Sequence, residues 1–552
     1  VHVAAGVTLT FPMNGINFAI TDDFHNEGTV TSALNGVNRG SVQMTVAKYI
    51  STTASKVTLT GGNGTGAAGG TGGAFAVLAD AIYNAGDIDA SGGNGDAAGS
   101  FNGGSAQTVQ LAAQRTGQSG PAQNTGNIKA AGGTGKAVGG SGSVIFLIAA
   151  TKGVYSKGTL DSSGGGGGTG GGMANVIQVM AGLGSVYLSG ALNAKGGDVD
   201  EAVCPATCTG GNGSTILVQT SGGEIVSSAP LTSVGGKSKG NIGGSGGTNI
   251  LRSLDGTDPL FGGPRPAGSI RMTGTVDGRG GAGGNGGPGG PCVISVVTTQ
   301  PFGQELEMFG YDTIDASGGN GVTGGGFSGP VTIWNQASPG SQPSGSTVVH
   351  ANVLAKGGAA STSGNGGSGS GIQIWASNGN VNYGLPTKTQ TVLIGGSLDA
   401  SGGNGVGAGG SGGPIDLRGR EQVDIFGTVT SSGGNTSGNG VTGGGVSNLT
   451  INSGGAVNVN AAIAFKGGNA TGTAAQGGST STMQIFGGTV KATAPISLAG
   501  GNGNGATGGS GNTIDLRGSQ APSSIMAVTS LGGTGTPNGT NGAVFIDGNQ
   551  QP

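Results

Sequence analysis

The 552-residue chain contains 132 glycines, 34% hydrophobic residues, only 9% charged residues and a net charge of −3. Collagen is excluded, because it needs glycine at every third position with abundant proline, and only 19 prolines occur without any strict triplet. The charge balance leaves no basic stripe to neutralise phosphates, so nucleic acid is not an expected partner. No apolar run approaches the roughly 20 residues needed to span a bilayer, so the chain is not expected to cross a membrane. A surface so poor in charge suits an extracellular or cell-surface location.

Residues 1–56 alternate as strands do, in Val7 to Thr10 and Val42 to Val46. They are read as irregular β coils of the same solenoid that fills residues 57–552. Val1 to Val3 already begins a strand-like run, so the chain is read as a mature, processed one. From Val57 onward a short strand followed by Gly-Gly recurs in 14 units, at spacings from 31 residues (Gly61 to Gly92) to 45 (Gly357 to Gly402).

Four residues before each pair stands a branched aliphatic: Val57, Ile88, Ile128, Leu160, Leu192, Leu231, Val276, Ile314, Val353, Leu398, Val429, Ile463, Ile496 and Val528. Two residues before the pair the side chain is usually small, as at Ala90, Ser162 and Ala316. The residue between them is mostly polar, as at Asp89, Asp161, Asp277, Asp315 and Asp399. A period of two marks a strand with one face inward. After the Gly-Gly pair comes a glycine loop, such as Gly402 to Gly413. A second strand (Ile415 to Arg418), a third (Val423 to Phe426) and a turn at Gly427 follow.

Such a unit cannot bury its apolar face alone, and stacking copies solves this. The predicted fold is therefore all-β, a parallel β-helix solenoid of about 14 coils with long Gly-rich loops from one corner. A sandwich would show hairpins with no fixed offset. Ala74 to Ala85 has helical propensity, but the repeat template makes it a strand. The loops are expected to stack as a second layer with paired backbones, on an extended three-per-turn path. Replacing Leu398 or Ile314 by Asp is expected to break a coil, and Ser317 to accept the same change.

The repeat logic resembles the right-handed parallel β-helices of bacterial surface proteins, such as adhesins and autotransporter passenger domains. Gly280 to Gly290 is similar to the glycine-rich repeats of mycobacterial surface proteins. The resemblance implies a surface or structural role and covers the repeat pattern alone.

No catalytic motif stands out. His2, His25 and His350 are read as lying in distant coils, and Gly-x-Gly-x-x-Gly matches carry no information in so glycine-rich a chain. The recurrent aspartates are read as solvated strand edges. No enzyme activity and no cofactor are expected, although Asp198, Asp200 and Glu201 form an acidic cluster that could bind calcium. Cys204 and Cys208 are candidates for a disulfide.

Trp334 and Trp375 occupy equivalent positions in consecutive units, so their rings should point outward and stack, as a surface for glycan or a partner. Asn63, Asn212 and Asn469 are loop positions with glycosylation sequons. The expected function is a structural subunit of an extracellular filament, sheath or surface layer. It would form a homo-oligomer, head-to-tail through open β-helix ends, since neither end carries a capping helix. The alternative is an adhesin stalk binding glycans through Trp334 and Trp375, and a more distant one is a β-helix carbohydrate-active enzyme.

Overall fold

The computed structural model describes the whole chain except residues 13–15, 117–118, 201–207, 258–262, 299–304, 309–311, 338–344, 377–390 and 552. The described residues are all β, without a helix, and lie in long parallel sheets. None of them forms a helix long and apolar enough to cross a membrane. Contacts divide the chain into two compact units, Val1–Gly278 and Arg279–Pro552. That boundary falls inside the repeat array and is not marked in the sequence.

Within each unit a repeat contributes two strands to one sheet and one to another. In the second unit these are Ile415–Gly419, Gln422–Ile425 and Val429–Ser432. Each pairs in parallel with its equivalents, so that Ile372, Ile415, Leu449, Met483 and Ile514 lie in one row. The first unit repeats the scheme with Ile145–Ala149, Val154–Ser156 and Leu160–Asp161. Alternation then decides burial. Ile415, Leu417, Gly419, Val423, Ile425 and Val429 are buried, and Asp416, Arg418 and Asp424, which alternate with them, are not.

The aliphatics before the Gly-Gly pairs stack in register. Val57, Ile88, Ile128, Leu160, Leu192, Leu231 and Val276 form the row of the first unit. Ile314, Val353, Leu398, Val429, Ile463, Ile496 and Val528 form that of the second. All but Val528 are buried, and Val528 is half-exposed. Phe75–Asn84 is a ten-residue strand, paired residue for residue with Val42–Ser51. Its helical propensity yields to these tertiary partners.

Among the described residues three antiparallel strand pairings depart from the repeat, one of them Gly256–Thr257 with Pro264–Arg265 in the first unit. Leu34–Asn35 and Asn38–Arg39 pair antiparallel in the first unit. In the second, Val544–Ile546 does not simply end in an open edge, as the sequence reading had it. Asp547 (φ 50°) and Gly548 (φ 79°) turn the chain so that Asn549–Gln550 pairs antiparallel along that edge. Both turn residues are left-handed, as a tight hairpin of this hand requires. Burial pushes the Asp547 carboxyl up, but bonds from Gly518 N, Ser523 N and Ser523 Oγ, each 2.7 Å, outweigh it and hold it below the ordinary carboxylate range.

A folded-state pKa below the unfolded one contributes stability that is present above the ordinary carboxylate range and lost as pH falls through the depressed value. Amide-exchange protection at Gly518 and Ser523 should therefore fall on acidification ahead of that at buried Leu417. Ile314→Asp should cost about 4 kcal/mol or more by burying an unpaired charge, read as a lower melting temperature. Ser317→Asp is not as neutral as its position suggests. Ser317 Oγ accepts from Lys356 N (3.3 Å), and the substitution removes that bond and sets a second carboxylate two residues from Asp315, so about 1 kcal/mol should be lost.

Candidate functional site: the glycine layer

The loops after the Gly-Gly pairs form an ordered layer built from backbone. Gly92 N donates to Ala131 O of the following repeat (3.0 Å), and Gly93 N to Gly70 O of a returning limb (2.8 Å). Asn94 N donates to Asn63 Oδ1 of the preceding repeat (2.8 Å), and Gly95 N again to the following one, at Thr134 O (2.8 Å). Successive amides point in three directions and the fourth repeats the first. That is the pattern of an extended three-per-turn chain bonded to neighbours rather than to itself.

Outgoing and returning limbs are laced by a zigzag of glycine bonds. In the first unit it runs Gly70 to Gly62, Gly93 to Gly70, Gly104 to Gly93, Gly133 to Gly104 and onward to Gly244, each N–H to the next carbonyl at 2.7–2.9 Å. A second zigzag of the same spacing runs from Gly281 to Gly539 in the other unit. A side chain on most of these glycines would meet a backbone carbonyl. A Cβ on Gly140 would lie 1.9 Å from Gly104 O, whereas one on Gly170 would meet only Val138 methyls at 3.6 Å.

Asparagine supplies the second device. The Oδ1 of Asn404 accepts from Asn435 N (2.8 Å), while the next amide, Gly405 N, donates to Asn435 O (2.9 Å). One residue thus clamps one residue of the next repeat with two bonds. Asn435 repeats this on Asn469, and Asn469 on Asn502. Asn63 and Asn212, exposed in the loops, hold Asn94 and Ser245 likewise.

The recurrent aspartates are not simply solvated. Asp89, Asp161, Asp315 and Asp399 each accept the amide two residues on at 2.9–3.1 Å, which fixes the turn into Gly-Gly. The signals for both devices lay in the recurrence of Asp-x-Ser before the glycine pair and of Asn after it.

Trp334 and Trp375 pair in register with ring centroids 5.4 Å apart and 12° between planes. The Arg418 guanidinium covers the other face of Trp375 at 4.7 Å and is ion-paired to Asp416 at 2.8 Å. Phe486 and Arg517 repeat the contact at 5.6 Å, with Asp515 2.7 Å from Arg517. Both faces of Trp375 are therefore taken within the protein, and a sugar would need an open one.

Asp198 is held by Lys195 Nζ (3.1 Å) and Lys237 N (2.8 Å), and Glu201 lies outside the described residues with Cys204. Among the described residues, no three His, Cys, Asp or Glu side chains, Asp200 included, group as a metal site would require. Cys208 is disulfide-bonded and Cys292 is free and buried. Burial pushes the Cys292 thiol up to about 12.

His2 and His25 are not in distant coils. They pair on adjacent strands with rings 6.4 Å apart, His2 beside Glu27 (3.4 Å) and His25 beside Asp23 (3.9 Å). No family model, curated protein or solved structure matches the chain.

Gly140→Ala should cost about 2–3 kcal/mol by overpacking, whereas Gly170→Ala in the same layer should be within about 1 kcal/mol of neutral. Equilibrium unfolding of the two variants beside the parent compares them directly.

Proposed function

We propose that the chain is a parallel β-helix of about 14 coils, without enzymatic activity, that serves as a structural subunit of an extracellular filament, sheath or surface layer. The observation that carries this reading is the glycine layer. Its amides and carbonyls are spent on neighbouring repeats, so it adds stiffness rather than a reactive centre. The disulfide at Cys208 favours an oxidising compartment, as does the sparse charge.

Assembly is head-to-tail. Among the described residues, His2–Val3, Thr8–Phe11 and Ile16–Ala19 in the first unit, and Ser524–Ile525 and Val528–Leu531 in the second, pair with a neighbouring strand on one side only. A second copy would satisfy the free sides and cover the half-exposed Val528, Val544 and Ile546. Because Trp375 gives one face to Trp334 and the other to Arg418, the two rings do not form an open platform, and no observation favours the glycan-binding alternative.

Negative-stain microscopy of the purified protein should show filaments. Deleting residues 1–12 should abolish them while the parallel-sheet circular dichroism signal persists. Filaments formed normally by the truncated chain would refute terminal strand exchange and leave lateral packing of the glycine face as the mode of assembly.

A further inference from the structure

Asparagine followed by glycine is the dipeptide in which a backbone most readily attacks a side chain. The glycine nitrogen, once deprotonated by hydroxide, bonds to the asparagine Cγ. The Cγ–Nδ2 bond breaks and ammonia leaves. Water then opens the cyclic imide at either carbonyl, giving aspartate or the β-linked isoaspartate. Hydroxide and water are the only co-reactants. The reaction needs the glycine N–H released and the side-chain amide able to swing onto it.

The glycine layer withholds both groups. Asn404 and Gly405 bond to one residue of the next repeat through the side-chain oxygen (2.8 Å) and the nucleophilic nitrogen (2.9 Å). The same two bonds occur at Asn63 with Gly64, Asn94 with Gly95, Asn212 with Gly213, Asn320 with Gly321 and Asn502 with Gly503. Asn63 and Asn212 are solvent-exposed, so hydrogen bonding and not burial is what holds them. Where the clamp is incomplete the side chain is still fixed. Asn504 Nδ2 donates to Thr471 O (2.8 Å), and Asn541 Oδ1 accepts from Gly532 N (2.9 Å).

Asn35 with Gly36 is different. Both are exposed at the tip of the hairpin Leu34–Asn35/Asn38–Arg39. Gly36 has φ 58° with open space around its Cα. Among the described residues no hydrogen bond holds the Gly36 amide or the Asn35 side chain. The next residue, Val37, gives its carbonyl to Gly62 N (2.7 Å), the first bond of the zigzag, and Asn38 Oδ1 accepts from Thr71 N (2.9 Å). The hairpin therefore closes one end of the glycine layer.

We propose that Asn35 is a site of spontaneous deamidation through attack by Gly36, and that the two-bond clamps protect the Asn-Gly pairs of the layer from the same reaction. Replacing Asn35 by isoaspartate adds a methylene and a charge to the hairpin that ends the zigzag.

The test is peptide mapping by mass spectrometry of the full chain aged at mildly alkaline pH, folded and in denaturant. In the folded protein the Asn35 peptide should gain the mass of an amide-to-acid conversion. The Asn63, Asn94 and Asn404 peptides should react at least about tenfold more slowly than in denaturant, because clamp bonds must open first. Gly36→Ala should suppress the gain at Asn35. Clamped pairs reacting as fast folded as unfolded would overturn the protection. An Asn35 peptide unchanged in the folded chain while it converts in denaturant would overturn the site.

Discussion

Every buried amide and carbonyl needs a partner, and in this protein that requirement does the work usually left to side chains. A chain that is roughly a quarter glycine has little apolar surface to bury, since 132 of 552 residues offer no side chain at all. The aliphatic rows fill only the space between the sheets. Outside them, order comes from limbs that approach so closely that carbonyls occupy the place of a Cβ, as Gly104 O does at Gly140. Glycine here is a packing residue selected for its absence of volume.

The same constraint accounts for the polar residues. At Asn63, Asn404 and Asn469 the side-chain oxygen takes an amide that the three-directional path leaves to be satisfied from the preceding repeat. Aspartate could accept the same bond, and Asp198 does so with Lys237 N, but Lys195 lies beside it to balance the charge. Carboxylates stacked at the strand spacing of about 4.8 Å would repel. Neutral amides stack without that cost, which explains why runs such as Asn404, Asn435, Asn469 and Asn502 are asparagine throughout.

Much of the fold was legible because stacking leaves a fixed offset. The aliphatic four residues before each Gly-Gly marks a strand and its inward face, and the same template corrects the helical propensity of Phe75–Asn84. The outward Trp334 and Trp375 pair follows from alternation alone. What glycine bonds to was not legible, since a residue without a side chain carries no sign of direction. The adjacency of His2 and His25 was hidden because the first repeat is shorter than the rest. The final hairpin rests on Asp547 and Gly548, a turn signal overlooked behind the repeat pattern.

A lattice of this kind is stable only as an array. Glycine loses more conformational freedom on ordering than any other residue, while a net hydrogen bond returns about 1 kcal/mol. A single glycine loop would therefore not hold its shape. Each limb here is bonded on both sides, as Gly93 is to Gly70 and to Gly104, so ordering one repeat prepays part of the entropy of the next. Contacts of this nearest-neighbour kind make a linear cooperative system. Its weakest points are the places where the array stops, and that is where the sequence abandons glycine for bonded side chains: Asn38 and Arg39 at one hairpin, Asp547 at the other.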